Sequence, residues 1–224
     1  MTRDLNLGRR APASGTTTSV LMFLHGYGAD GADLLGLAEV LAPHLPDTLF
    51  LSPDAPEPCV GSPMGRQWFP IPWLDGSDEA QAEAGLLRAT ADLDACIDAV
   101  ILREGVAEGR IALLGFSQGA MIALHVVLRR RHAMAGVVAI SGRLLAPERL
   151  AAEAMSHPPV LLIHGDADEV VPFVHMGPAG TALAAAGVAV SGHVMRGTGH
   201  GIAPDGLSAA LAFLMPLLGY SGVD

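Results

Sequence analysis

Residues Ile111-Ala112-Leu113-Leu114-Gly115-Phe116-Ser117-Gln118-Gly119-Ala120-Met121-Ile122 decide the architecture. An apolar run of strand length meets a G-x-S-x-G turn, and an apolar helix-forming run follows at once. A serine in so tight a strand-to-helix turn is held in strained backbone geometry, and Gly115 and Gly119 leave room where side chains would collide. The hydroxyl of Ser117 is therefore predicted to stand above the end of a sheet. The Gln118 N–H, opening the helix, faces any negative charge that develops beside it.

Working outward, short apolar runs alternate with longer helical patterns, the signature of strand-helix-strand units and a mostly parallel sheet covered on both faces. Strands are predicted at 20–24, 48–51, 111–114, 136–140, 160–164 and 188–195. The clearest helix starts after Gly76-Ser77-Asp78-Glu79 and carries Leu86, Leu93, Ile97 and Val100 on one stripe. The stretch from Pro53 to Gly76, rich in proline and glycine and dotted with Met64, Trp68, Phe69, Ile71, Trp73 and Leu74, is expected to hold no regular element. A loop of that length inside a compact domain is expected to wall a site.

A serine hydroxyl needs a base within hydrogen-bond reach. On such a sheet the order is Ser, then Asp or Glu, then His, which leaves His175, His193 and His200 eligible. His193 lies in a strand-like alternation and His175 near the start of a helix. His200 sits in Gly197-Thr198-Gly199-His200-Gly201, just past the last strand, and is the predicted base. For the acid, Asp166, Asp168 and Glu169 compete in Gly165-Asp166-Ala167-Asp168-Glu169. Asp168 is preferred because it lies further past the strand and reaches further, with Asp166 as the fallback. A second N–H for a substrate oxyanion is expected from Tyr27, in Leu24-His25-Gly26-Tyr27-Gly28-Ala29-Asp30. His25 reads as a loop-stabilising residue.

The same loop reads G-x-G-x-x-G from Gly26 to Gly31, with Asp54 placed as the acidic residue of a dinucleotide site. A dinucleotide-binding protein using Gly26-Gly31 is thus a remote alternative, since it leaves Ser117, Asp168 and His200 as coincidences.

Bulk properties agree with a buried α/β domain. The 224 residues are 50% hydrophobic and 16% charged, and are expected to form a single domain over 1–224. A net charge of -10 disfavours nucleic acid and anionic membranes as partners. Cys59 and Cys96 read as reduced thiols. No run approaches the roughly 18 apolar residues of a spanning helix, so no membrane insertion and a cytoplasmic location are expected.

Together, Leu24-His25-Gly26-Tyr27-Gly28-Ala29-Asp30, the Trp68 loop, Gly115-Phe116-Ser117-Gln118-Gly119-Ala120, His164-Gly165-Asp166-Ala167-Asp168-Glu169-Val170-Val171-Pro172 and Gly199-His200 resemble the phospholipase/carboxylesterase family of α/β-hydrolases. That family comprises small carboxylesterases and acyl-protein thioesterases. The resemblance runs from about Val20 to the C-terminus. It implies the α/β-hydrolase fold without a large lid domain, no cofactor or metal, and often a homodimer. Carried over, it makes Ser117, Asp168 and His200 a catalytic triad and assigns the oxyanion N–H groups to Tyr27 and Gln118. Trp68, Phe69 and Val171 are the candidate substrate-binding residues. One departure bears on the acyl-pocket wall: Trp68-Phe69-Pro70 stands where the family commonly has an aromatic pair followed by Asp.

The expected chemistry is acyl transfer through an acyl-enzyme, with short to medium carboxylic esters as the small-molecule substrates. Acyl-protein thioesterase or lysophospholipase activity is the alternative. A peptidase would need a site for an extended chain, which nothing in the sequence suggests.

Overall fold

The computed structural model describes residues 2–220. In chain order the strands are β1 (Leu7–Arg10), β2 (Ser19–Leu24), β3 (Thr48–Pro53), β4 (Glu57–Cys59), β5 (Ser62–Gln67), β6 (Ile111–Phe116), β7 (Gly136–Ile140), β8 (Val160–Gly165) and β9 (Val190–Met195). The helices are α1 (Gly31–Leu35), α2 (Ala38–Leu41), α3 (Pro72–Asp75), α4 (Glu79–Glu104), α5 (Gln118–Val127), α6 (Pro147–Glu153), α7 (Met176–Ala185) and α8 (Pro204–Leu217). Seven strands form one sheet in the order β1-β3-β2-β6-β7-β8-β9, in which only the β1–β3 pairing is antiparallel.

The continuous apolar runs follow from burial on both faces. Along β2, Val20, Met22 and Leu24 pack with Leu93 and Ile97 of α4, Ile122 of α5 and Leu183 of α7. Leu21 and Phe23 point the other way, into a layer with Leu34 of α1, Leu41 of α2 and Leu214 of α8. This is the α/β-hydrolase architecture, and among the described residues no large lid domain is inserted into it. Because the central strands run parallel, their carboxyl ends share one edge of the sheet, and the loops after β2, β6, β7, β8 and β9 gather there. Among the described residues no helix is long and apolar enough to cross a membrane.

Helix α4 starts where the sequence predicts. Asp78 accepts from the Gln81 N–H, and the Gln81 side chain accepts from the Asp78 N–H, a reciprocal cap. Its Leu93, Ile97 and Val100 are buried, with Leu86 half-buried at the near end.

The segment from Pro53 to Gly76 departs from expectation, because it holds the β4–β5 ribbon and the short helix α3. Proline at this density excludes a central strand, yet each strand of an isolated ribbon has one edge free of ladder bonds, where a missing N–H costs little. Pro58 sits opposite Arg66, and the register slips between Pro58 and Cys59. Edge strand β1 was also unforeseen: Leu-Gly-Arg-Arg carries no apolar alternation, and its arginines pair outward, Arg9 with Glu104 and Arg10 with Glu39. Strand β9 begins at Val190, two residues later than the apolar pattern suggests.

All ten residues of α5 are buried, including His125, whose Nδ1 has no hydrogen-bond partner. Burial, helped by the nearby Arg129 cation, pushes its pKa from the ordinary 6.5 down to about 4. Between those values the unfolded chain holds a proton that the folded chain refuses, so stability drops as pH falls through this window. Urea unfolding at pH 6.5 and pH 5 should show His125 accounting for about 2 kcal/mol of the loss. His125→Leu should lack that component; an unchanged difference between the two pH values would refute it.

Candidate active site

Ser117 joins β6 to α5 at φ 53 and ψ -117, a left-handed conformation that costs a non-glycine residue roughly 1–3 kcal/mol unless its surroundings hold it. What holds it is close packing at glycine. A Cβ on Gly119 would run into the Leu24 carbonyl at the end of β2, and one on Gly115 into the Gly119 carbonyl. The Ser117 N–H donates to the Ile140 carbonyl at 2.9 Å, which ties the turn to β7. A Cβ on Gly26 would stand 3.4 Å from the Cβ of Ser117, so the loop after β2 lies directly against the serine. Among the described residues, neither the Tyr27 N–H nor the Gln118 N–H donates to another protein group.

The Gln118 side chain has a part that the sequence reading missed. It is fully buried, its Oε1 accepting from the Trp68 N–H at 2.8 Å and its Nε2 donating to the Phe69 carbonyl at 2.7 Å. The Trp68 indole in turn donates to the His25 carbonyl at 3.0 Å. His25 takes the Ala55 N–H on Nε2 at 3.0 Å, so Nδ1 carries the proton and donates to the Gly26 carbonyl at 2.8 Å. Burial holds its pKa below the ordinary value, in keeping with that neutral form. His25 is thus the loop-stabilising residue expected of it.

One expectation is corrected here. Trp68 is 0% exposed and anchors the loop from inside, so its side chain does not wall a pocket. A groove of about 590 Å³ beside the elbow is lined instead by Phe69, Trp73, Leu86, Met121 and Arg143, among others. Val171 is buried in the loop after β8. Its N–H donates to Asp168 and its carbonyl accepts from His164.

The glycines from Gly26 to Gly31 make no phosphate cradle. Asp54 Oδ1 accepts from the Gly31 N–H at 2.9 Å, Oδ2 accepts from Asn6, and the Gly28 N–H donates to the Arg66 carbonyl of β5. The helix that follows has only five residues, and a Cβ on Gly31 would meet the Ser52 carbonyl at 2.5 Å. The glycines serve close backbone packing. Among the described residues no cluster of His, Cys, Asp and Glu is arranged to hold a metal ion.

Asp168 and His200 meet across the loops after β8 and β9, with Oδ2 and Nδ1 2.8 Å apart. Asp168 Oδ1 accepts from the Val170 and Val171 N–H groups at 3.0 and 2.9 Å. Burial alone would raise the Asp168 pKa, but the bonds from His200 and the two amides outweigh it and keep the carboxyl below its ordinary value. A second histidine, His164, places Nε2 3.4 Å from Oδ2 while bonded to the Val171 carbonyl at 2.8 Å. Asp166 faces elsewhere: it accepts from the Gly197 N–H at 2.6 Å, binding the next loop rather than its own turn. His193 pairs with Asp205, and His175 stands at the start of α7. The His200 ring lies 4.8 Å from that of Phe116, immediately before Ser117. No hydrogen bond joins Ser117 Oγ to His200 in this structure, a spacing common before substrate draws such groups together.

A model of the phospholipase/carboxylesterase family matches residues 11–218. Esterase YpfH of Escherichia coli K12 is 31% identical over 198 residues, covering 87% of this chain and 81% of the relative. Acyl-protein thioesterase 1 of Mycosarcoma maydis is 35% identical, covering 72% of this chain and 74% of its own. Among solved structures, that of esterase PE8 superposes with a TM-score of 0.91 at 41% identity, covering 96% of this chain and 100% of that one.

The Gln118 bridge predicts a stability effect separate from any chemistry. Gln118→Leu keeps the volume but strands a buried N–H and a buried carbonyl, at roughly 1–3 kcal/mol each. Urea unfolding should show a loss of about 2–5 kcal/mol; wild-type stability would mean that the bridge contributes nothing.

Proposed function

The chain belongs to the phospholipase/carboxylesterase family, and from that premise we propose that it hydrolyses carboxylic esters with Ser117 as nucleophile, His200 as general base and Asp168 as the orienting acid. The observation that carries this reading is the hydrogen bond between half-buried His200 and buried Asp168, in the loops beside a serine held at a strained, glycine-packed elbow. In the reaction, Ser117 Oγ attacks the ester carbonyl while His200 Nε2 takes its proton. Asp168, bonded to Nδ1, fixes the tautomer in which Nε2 has a free lone pair and stabilises the imidazolium that forms. The uncommitted N–H groups of Tyr27 and Gln118 receive the negative charge on the carbonyl oxygen, the second with the α5 dipole behind it. His200 then protonates the departing alcohol, and a water activated the same way releases the acid.

Short to medium acyl chains suit a site whose evident wall is the open groove at Phe69, Leu86 and Met121. Thioesters are a second substrate class. They are favoured by the acyl-protein thioesterases among the relatives, and the same steps would serve them.

A fluorophosphonate should label the protein once by intact mass, and the adduct should vanish in Ser117→Ala. Labelling of that variant at the wild-type rate would overturn the nucleophile.

The two aspartates give a sharper test. Asp168→Asn should cut kcat by up to about 10⁴-fold with a small change in thermal midpoint. Asp166→Asn, which weakens the bond from Gly197 by removing the acceptor's charge and gives up the ion pair with exposed Arg196, should keep most of its kcat and lose on the order of 1 kcal/mol of stability. A dead Asp166→Asn beside an active Asp168→Asn would move the acid by two positions.

A further inference from the structure

Strand β7 ends at Ile140, and the chain then turns through Ser141, at φ 51, and Gly142. A Cβ on Gly142 would stand 2.7 Å from the Cβ of Ala120 and 3.2 Å from the Ser117 carbonyl oxygen. This turn is therefore pressed against the elbow, and the residue that leaves it is Arg143. Its guanidinium carbon lies 4.9 Å over the Trp73 ring. Its Nε is buried without a hydrogen-bond partner. Arg129, Arg130 and Arg149 all have carboxylates within 4 Å, whereas Arg143 has none among the described residues. It lines both the 590 Å³ groove, shared with Phe69 and Met121, and an adjoining one of about 460 Å³, shared with Leu144 and His175.

We propose that Arg143 binds an anionic group of the substrate, so that the preferred esters carry a carboxylate close to the scissile bond. A half-buried guanidinium with an unsatisfied N–H lacks an acceptor, and a carboxylate matches its fork of donors. Stacking on Trp73 holds the fork in place without using those donors. Glu79 and Glu83 line the same groove and oppose an anion, but both are exposed at its mouth, where water and salt weaken their field. Arg143 lies deeper and its interactions are screened less. The inference rests on ester hydrolysis at Ser117 and adds the charge of the substrate to it.

The test compares matched esters differing only in one charge. On the acyl side these are monomethyl glutarate and methyl 4-carbamoylbutanoate; on the alcohol side, 4-acetoxybutanoate and 4-acetoxybutanamide, each with a single scissile ester. Wild-type kcat/KM should favour the anion in at least one pair, and that pair identifies the side on which the carboxylate sits. Arg143→Met should lower kcat/KM for that anion roughly tenfold to a hundredfold, with the neutral partner shifting less than about threefold. Arg143→Lys should fall between. No anion preference in either pair, or equal losses on anion and neutral ester, overturns the assignment while leaving hydrolysis intact. Failure of the wild type on every ester sinks the hydrolase reading and the Arg143 assignment with it.

Discussion

The contact between the first turn of α5 and the end of β2, where Gly119 lies on the Leu24 carbonyl, is the constraint on which the rest of the site depends. With no side chain between them, helix and strand approach closely enough that the loop after β2 touches the serine. A methyl group at position 119 would push α5 outward and carry Ser117 and Gln118 with it. The strain at Ser117 is held by this packing and by the bond from its N–H to Ile140.

Close packing also explains what the sequence disclosed and what it concealed. The central parallel strands were legible because both their faces are buried, so nearly every residue along them is apolar, Ser19 and His164 being the exceptions. The elbow was legible because its glycines are obligatory. By contrast, β1 lies at an edge where arginines are tolerated, and the β4–β5 ribbon is secured by the Arg66 N–H bonded to Ala29 and by the bond from Gly28, pairings distant in sequence that leave no local periodicity. Trp68 invited misreading for a related reason. An aromatic among prolines resembles a pocket wall, and only its bond to the His25 carbonyl reveals a core anchor. Gln118 was read for its backbone alone, although a glutamine at the head of an otherwise apolar turn, Gly119 to Leu124, is itself a signal that buried polar groups nearby need partners.

The acid loop illustrates how a charge is kept in a dry place. Asp168 exchanges water for two backbone N–H groups and one imidazole, and the residues that supply the amides, Val170 and Val171, are held by His164 through the Val171 carbonyl. Chain order narrowed the proposed acid to a few neighbouring carboxylates. Reach distinguishes Asp168 from Asp166, because the shorter excursion from β8 leaves Asp166 among the amides of the next loop.

The Gln118 bridge has an evolutionary consequence. It grips the Trp68–Phe69 segment only by main-chain atoms, so the side chain at position 69 can change without loosening the loop from the Ser117 elbow. Trp73 and Arg143 likewise reach the groove from elements that contribute nothing to the Asp168–His200 contact. Descendants of this sequence can therefore drift in the lining of the groove while Ser117, Asp168 and His200 stay fixed, and a lineage can explore new diets without first losing its appetite.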